Sequence, residues 1–334
     1  MKLFPVIILA SIVVLVNNIA KAAEINGMPT VVEIKTFRDA TRKQVVTRGK
    51  GFVWEGNGFI LSVYQKLLDP DSQTLLTDIE VYVSKHNTWY NAELVGVEPT
   101  LNLSILKITP SQPLSVSSVV EYEQLEEGTP VYAPLGNGKF AEGVLTTLSE
   151  RECYQENMTS TMHISTIPLN DNSIGTPIVD KNGNVVAIFT GYQPPEENSG
   201  SYLVDVSYLL PAFLATYIYD SLKYKKSMIS PWTGFSVRRL TANEKQAFPT
   251  EQGEQGGIAI EEVWDNSPAE KLGIKSDDIL LRFGHYPIES PADFQKWLYM
   301  YGVGHEVKLL LLRNKKYVEM NYKIEARPKW AVPR

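Results

Sequence analysis

Short β-rich runs separated by turn residues occupy the chain from Thr30 to about Thr190. Glycine, asparagine or aspartate stands between most consecutive runs. Many short strands with turn signals between them predict an all-β barrel or sandwich. The predicted strands are Val31–Thr36, Gly51–Val53, Phe59–Val63, Ile79–Val83, Ala92–Val97, Leu103–Ile108, Val131–Pro134, Val144–Leu148, His163–Ile167, Pro177–Val179 and Val185–Phe189.

A helix is predicted from Val206 to Leu222. The part of the chain after this helix has a different pattern from the N-terminal part. Two segments, Ser267–Glu270 and Ser290–Asp293, place an N-cap serine before proline, with an acidic residue three positions after the cap. Asn314-Lys315-Lys316 indicates a hairpin turn. The pattern predicts a small α+β domain. Its expected strands are Ile258–Val263, Asp278–Phe283, Val307–Leu312 and Tyr317–Ile324.

Composition narrows the class of protein. A length of 334 residues predicts two globular domains. With 43% hydrophobic and 21% charged residues, the chain is not largely disordered, fibrous or a polytopic membrane protein. A net charge of −6 argues against a broad nucleic-acid-binding face. A single cysteine, Cys153, excludes a disulfide scaffold and a Cys-rich zinc site, and we expect no metal or cofactor.

The first residues have the pattern of an export signal. Lys2 is followed by an almost unbroken apolar run, Leu3–Val16, and Ala20-Lys21-Ala22 fits the small-x-small cleavage rule. We therefore predict a signal peptide at residues 1–22 and a periplasmic or cell-envelope protein. The alternative is an uncleaved anchor, for which the apolar run is short.

The C-terminal segment resembles a PDZ domain of the bacterial type. The resemblance rests on Gly257–Ile260, Asn266–Ile274 and Lys275–Leu280, which combine an apolar strand, a Ser-Pro-Ala helix start, Leu-Gly-Ile and Asp-Asp-Ile-Leu. In such domains a glycine-containing loop turns backbone N–H groups toward a chain-terminal carboxylate, and the next strand adds the peptide at its edge. The helix from Pro291 to about Tyr301 would form the other wall of the groove.

The resemblance assigns candidate peptide-binding residues to this domain. Trp232-Thr233-Gly234-Phe235 stands where the carboxylate-binding loop is expected. Phe235, Phe294 and Leu298 are candidates for the apolar pocket, and the alternative for Phe294 and Leu298 is an ordinary core position. The full candidate set is Trp232, Thr233, Gly234, Phe235, Phe294 and Leu298.

The N-terminal segment resembles the trypsin-like domain of HtrA/Deg-family serine proteases. The matching motifs are Gly49–Phe52, Gly58–Ser62, Val95–Pro99, Leu103–Ile108 and Gly175–Asp180. The resemblance implies a mainly β protein with a two-barrel trypsin-like domain followed by a small α+β PDZ domain. We expect a trypsin-like domain at 23–222, a linker at 223–230, the PDZ domain at 231–327 and a tail at 328–334.

The family's catalytic positions carry other residues in this chain. Gln65 stands at the histidine position, Asn102 at the aspartate position and Ile174 at the serine position. A serine protease needs a nucleophile, a base and a carboxylate that orients the base, and these three side chains supply none of them. Asn172 replaces the glycine expected two residues before the nucleophile, which also places the oxyanion hole in doubt.

Other candidate nucleophiles and bases in the chain are Ser173, His163 and Cys153. Ser173 neighbours the lost position and could act only if the loop slipped by one residue. His163, on a predicted strand, is the one histidine of the four expected near the old active site, and none of the four has metal-site spacing. Cys153 is expected in a loop as an unreactive thiol.

Three functions therefore compete. The first is an inactive HtrA-like protein that binds peptide C-termini or unfolded envelope proteins as a sensor, scaffold or chaperone-like adaptor. The second is an active serine endopeptidase with a rearranged site. The third is a regulatory subunit of an active paralogue. The resemblance also implies a homo-trimer or a mixed oligomer, since family members commonly trimerise through the trypsin-like domain.

Overall fold

A computed structural model describes residues 27–99, 101–136, 138–155, 158–193, 206–225, 230–246 and 256–328. The predicted signal segment, residues 1–22, lies outside these ranges, and the predicted linker and tail lie partly outside them. Within the described ranges, no helix is both long and apolar enough to cross a bilayer. The chain divides into two compact units, residues 1–148 with 163–215, and residues 149–162 with 216–334.

Two closed six-stranded barrels follow one another along the chain, which confirms the mainly β, two-barrel expectation. The first barrel has the strand order β1-β2-β3-β6-β5-β4, and the second has the order β10-β11-β12-β9-β8-β7. The strands are β1 Val31–Phe37, β2 Thr47–Glu55, β3 Phe59–Ser62, β4 Asp78–Val83, β5 Thr88–Glu98, β6 Leu103–Lys107, β7 Pro130–Gly136, β8 Lys139–Gln155, β9 Met158–Ser165, β10 Pro177–Val179, β11 Val185–Gln193 and β12 Val206–Pro211.

Alternating side chains build the interior of the first barrel. In β4, Ile79, Val81 and Val83 are buried, and the residues between them are partly exposed. Successive side chains of a strand point to opposite faces, so this alternation turns one face of β4 into the barrel. Val32 and Ile34 of β1 join the same apolar cluster.

The prediction of a helix from Val206 to Leu222 is correct only from Ala212 onward. The residues before Ala212 form β12, which pairs with β11 and β9, and helix α1 spans Ala212–Lys225. A proline disfavours the helical conformation in the residue before it, so Leu210 stays extended ahead of Pro211. Cys153, expected in a loop, lies within β8.

The last sheet belongs to the second unit and has the order β14-β15-β16-β18-β19, with β17 pairing with β16, while β13 pairs with β20. Strand β14 is an edge strand of this sheet. The elements are β13 Pro231–Trp232, β14 Phe235–Arg239, α2 Ala242–Gln246, β15 Ile258–Val263, α3 Pro268–Lys271, β16 Ile279–Phe283, β17 Tyr286–Pro287, α4 Pro291–Tyr301, β18 Glu306–Arg313, β19 Lys316–Lys323 and β20 Glu325–Ala326.

The predicted helix starts and hairpin are present. Ser267 Oγ accepts a hydrogen bond from the Glu270 N–H at 3.1 Å, and Ser290 Oγ accepts one from the Asp293 N–H at 3.1 Å. Asn314 and Lys315 both have positive φ, as a two-residue turn between β18 and β19 requires. Local sequence chemistry therefore sets the bounds of α3, α4 and this hairpin.

A largely buried ion pair ties the segment between α3 and β16 to β18. Asp278, only 2% exposed, accepts from Arg313 Nε at 2.6 Å and from the Lys275 N–H at 2.9 Å. Arg313 also donates to the Gly273 carbonyl at 2.8 Å. The pairing raises the pKa of Arg313 above its usual range. Removing one partner of a buried pair leaves the other charge uncompensated.

We expect Asp278→Asn to destabilise the second unit by about 3 kcal/mol, because the Arg313 guanidinium loses its carboxylate in a partly buried position. Urea unfolding followed by tryptophan fluorescence measures the change. The control is Glu319→Gln, which breaks the exposed Lys308–Glu319 pair and should change the free energy of unfolding by less than about 0.5 kcal/mol. Equal effects of the two substitutions would contradict a structural role for the Asp278–Arg313 pair.

Candidate functional site

Gln65 and Asn102 lie side by side in the first barrel. Gln65 is on a 3-10 helix, Tyr64–Leu67, that follows β3, and Asn102 directly precedes β6, the partner of β3. Asn102 Oδ1 accepts from the Gln65 backbone N–H at 2.9 Å, and the Asn102 carbonyl accepts from the Tyr64 N–H at 3.3 Å. Asn102 has a φ of 52°, a left-handed conformation that asparagine tolerates. The asparagine side chain thus braces the backbone that carries Gln65.

The side chain of Gln65 reaches the second barrel. Its Nε2 donates to the Thr190 carbonyl of β11 at 3.1 Å. The next residue, Lys66, makes a second link between the barrels, because its Nζ lies 2.7 Å from Asp171 Oδ2. A neutral amide that donates to a backbone carbonyl cannot take up a proton near neutral pH. Gln65 therefore acts here as a structural tie.

Ile174 follows a 3-10 helix, Asp171–Ser173, and is 4% exposed. Its carbonyl accepts from the Lys50 N–H at 3.1 Å, and the Gly175 N–H donates to the Phe189 carbonyl at 2.8 Å. Phe189 directly precedes Thr190, whose carbonyl accepts the hydrogen bond from Gln65. The structure thus brings Gln65, Asn102 and Ile174, which were predicted to occupy the triad positions, to one region between the barrels.

The loop before Ile174 uses its own N–H groups. In a trypsin-like oxyanion hole the donors are the N–H of the nucleophile position and that of the residue two positions earlier. Here the Asn172 N–H donates to Asn170 Oδ1 at 3.1 Å, and the Ile174 N–H donates to the Asp171 carbonyl at 3.3 Å. Both expected donors are engaged within the loop, so this conformation does not offer them to a substrate.

Ser173 is largely buried and lacks a base. Its N–H donates to the Asn170 carbonyl at 2.8 Å and its carbonyl accepts from the Thr176 N–H at 2.9 Å. Across the described residues, no histidine, lysine or carboxylate is hydrogen-bonded to its hydroxyl. Burial lowers the pKa of Lys50, and the charge of Glu33 opposes this shift. Deprotonation of Lys50 is easier there, yet among the described residues no hydrogen bond joins its Nζ to the Ser173 hydroxyl.

His163 belongs to the interior of the second barrel. It lies on β9, as expected, and is fully buried, with its ring stacked on Tyr122 at a centroid distance of 6.1 Å. In the part of the chain that the structure describes, no cluster of three or more His, Cys, Asp or Glu side chains could hold a metal ion.

The loop between β13 and β14 contains the predicted carboxylate-binding residues Thr233 and Gly234 and is named the carboxylate loop. The Tyr322 hydroxyl donates to the Thr233 carbonyl, and the Trp264 N–H donates to the Gly234 carbonyl at 2.9 Å. In a trans peptide the carbonyl and the following N–H point in opposite directions. The N–H groups of Gly234 and Phe235 therefore point away from Tyr322 and Trp264, as donors to a chain-terminal carboxylate must.

Gly234 is the residue that this loop requires. Its φ is 74°, and a Cβ there would lie 2.4 Å from the Ser267 Cβ. The Trp264–Gly234 bond also makes Phe235–Val263 a non-hydrogen-bonded pair of the antiparallel ladder. The N–H and carbonyl of Phe235 consequently face the opposite edge of β14.

The predicted peptide groove is the space between this edge and α4. Among the described strands, β14 pairs with β15 alone, and α4 packs against β13, β14 and β16. Phe294 and Leu298 share one face of α4, and the Phe294 ring stacks on Phe235 at 5.4 Å. Trp232, also a candidate, packs against Trp264 at a centroid distance of 6.0 Å.

Several residues that build these sites were not found from the sequence. Tyr322 orients the carboxylate loop and is the one buried residue of β19, but its sequence neighbours Tyr317, Val318 and Met320 give it no distinctive signal. Phe283 packs edge-on against Phe294 at 5.3 Å. The Thr190 carbonyl, which accepts from Gln65, is a backbone group and leaves no signal in the sequence.

Two family models match the chain. Residues 49–188 match the trypsin-like peptidase domain, and residues 233–324 match the PDZ domain. A "Probable periplasmic serine endoprotease DegP-like" of Rickettsia conorii is 24% identical over 294 residues, which are 86% of this chain and 55% of the relative. The protein of the same name from Pseudomonas fluorescens is 22% identical over 94% of this chain and 65% of its own length. The chain thus spans only about half to two thirds of these relatives.

Solved structures show the same fold. The HtrA-type protease AlgW with a tripeptide has a TM-score of 0.67 at 20% identity, covering 93% of this chain and 97% of that chain. The serine endoprotease from Yersinia pestis has a TM-score of 0.57 at 20% identity, covering 93% of this chain and 98% of that chain. This chain therefore consists of a trypsin-like peptidase domain and one PDZ domain, and it is a homologue of the DegP-like, HtrA-type serine proteases.

Proposed function

We propose that this chain is an exported pseudoprotease that binds C-terminal or unfolded peptides through its PDZ domain. It would act as a sensor, scaffold or chaperone-like adaptor in protein quality control of the cell envelope. The observation that carries the proposal is Ile174, a buried apolar side chain at the position of the nucleophile. An isoleucine has no group that can attack a carbonyl carbon.

The surroundings of Ile174 support the loss of catalysis independently. Gln65 donates its amide to a carbonyl where a base is needed, and Asn102 carries no charge to stabilise an imidazolium. The N–H groups of Asn172 and Ile174 are engaged within their own loop. Losing the catalytic side chains as a unit costs on the order of 10⁶ in turnover, and losing an oxyanion donor adds to that.

The carboxylate loop and the free edge of β14 support peptide binding. Tyr322 and Trp264 donate hydrogen bonds to the carbonyls of Thr233 and Gly234. The N–H groups of Gly234 and Phe235 therefore point the opposite way, toward the groove. An extended peptide can then add to β14 as a further strand, with its terminal carboxylate on these N–H groups. One of the similar solved structures is described as bound to a tripeptide, which agrees with this mode.

The proposed location is the periplasm. The DegP-like relatives are named periplasmic, and the Leu3–Val16 apolar run with its small-x-small site fits export followed by cleavage after Ala22. We propose peptide or protein C-termini as its partners there. A homo-trimer, or a mixed oligomer in which the chain regulates an active paralogue, is compatible with this function, and co-purification from envelope extracts distinguishes the two.

The site residue Ile174 should behave as part of the core. We expect Ile174→Ser to lower the free energy of unfolding by about 2–4 kcal/mol, because it replaces a buried apolar side chain by a smaller polar one. The control is Val116→Ser, at a position that is 46% exposed, where the change should stay within about 0.5 kcal/mol. Denaturant unfolding of the purified chain measures both, and an unchanged stability of Ile174→Ser would contradict the packing role.

Residues 23–334 should not cleave unfolded casein. We expect no fragments above those of a buffer control, and Ser173→Ala should leave that result unchanged. The triple variant Gln65→His, Asn102→Asp, Ile174→Ser should also stay far below an active serine protease, because the loop still engages its two oxyanion donors. Cleavage that survives stringent purification and disappears in Ser173→Ala would establish the rearranged active site instead.

Peptide binding should depend on a free terminal carboxylate. We expect a peptide amide to bind at least about tenfold more weakly than the free acid in fluorescence anisotropy, because charge-assisted bonds to the loop are lost. Gly234→Ala should abolish binding through its clash with Ser267, whereas Gly273→Ala is the matched control. Gly273 also has positive φ, at 75°, and a Cβ there meets nothing within 4 Å. Equal binding of acid and amide would contradict the proposed mode.

A further inference from the structure

The end of the peptide groove next to the carboxylate loop is filled by aromatic rings. Phe235 and Phe294 stack at 5.4 Å with an interplanar angle of 27°, and each is less than 7% exposed. Phe283 packs edge-on against Phe294 at 5.3 Å, and Tyr322 packs against Phe235 at 6.4 Å. Phe283 and Tyr322 are fully buried. The position where a terminal side chain would enter therefore offers little free depth.

The helix that carries Phe294 is held firmly against the sheet. Trp297 stacks in parallel on Tyr286 at a centroid distance of 3.5 Å. Tyr301 packs against both Phe283 and Tyr286, at 5.8 and 6.1 Å. The next turn of α4 is thus fixed by three aromatic contacts, and moving it outward to deepen the groove would break them. Protein interiors are close-packed, so a bulky guest side chain would have to displace one of these rings.

We propose that Phe294 and Phe235 restrict the terminal residue of the bound peptide to small aliphatic side chains, alanine or valine, and exclude phenylalanine and leucine. This inference rests on the proposed function of the groove. Recognition would come mainly from the peptide backbone on β14 and the carboxylate on the loop, with a shallow contact for one small side chain. A pocket closed by rigid rings discriminates by size, and each excess methylene costs roughly a factor of ten or more in affinity.

The test compares four peptides that share one upstream sequence and end in Ala, Val, Leu or Phe with a free carboxylate, titrated against residues 23–334. We expect the Ala and Val peptides to bind at least about tenfold more tightly than the Phe peptide. In Phe294→Ala, which opens the pocket, the order should reverse in favour of Leu and Phe. Phe294→Leu makes a smaller cavity and should give an intermediate order if the alanine variant fails to fold.

Leu281→Ala is the control, since it makes a cavity in the separate apolar cluster around Ala259, Ile279 and Leu312. It should leave the order of the four peptides unchanged. The wild-type chain could bind the free acids more tightly than the amides and still prefer the Phe or Leu peptide. That result would overturn the size restriction and leave the proposed function intact. Binding of none of the free acids would overturn both. A preference for Ala and Val that Phe294→Ala does not alter would remove Phe294 from the explanation.

Discussion

The first unit depends on a backbone contact between its two barrels, made by Lys50 of β2 and Gly175. The Lys50 N–H donates to the Ile174 carbonyl, and a Cβ at Gly175 would lie 2.0 Å from the Lys50 carbonyl oxygen. Gly175 also has a φ of 92°, so glycine alone satisfies both the close approach and the backbone conformation. The contact fixes the start of β10 against the first barrel. It thereby fixes where the preceding loop lies, whatever side chains that loop carries.

Because backbone groups position the loop, its placement does not depend on catalytic side chains. The Gly175 N–H still bonds to the Phe189 carbonyl, and the Asn102 side chain still braces the backbone of Gln65. Ile174 and Gln65 contribute to stability, since Ile174 is buried and Gln65 links the barrels through the Thr190 carbonyl. A catalytic site usually retains polar groups at some expense to stability. In the proposed pseudoprotease, the buried Ile174 avoids that expense.

The sequence predicted those features whose causes are local. Proline and serine set the starts of α3 and α4, a short β-rich run marked β4, and the turn residues Asn314 and Lys315 marked a hairpin. The β12 strand was missed, because a continuous apolar run does not distinguish strand from helix unless the effect of Pro211 is weighed. The engagement of the Asn172 and Ile174 N–H groups could not be predicted, since it depends on how one loop folds back on itself. Likewise, the aromatic stack at the groove joins residues far apart in sequence.

Binding without cleavage changes what the groove must do. A protease consumes the chain it captures, so its selectivity lies in the ratio of kcat to KM, whereas a pseudoprotease releases its ligand intact. Its occupancy then follows the concentration of free chain ends, and the lifetime of the complex is set by dissociation alone. A groove that recognises mainly the backbone of the bound peptide and its terminal carboxylate binds many different chain ends with modest affinity. In the proposed mode, the aromatic rings around Phe294 would add a size limit to that broad recognition. Such recognition would suit a protein that responds to the amount of exposed termini more than to one particular sequence.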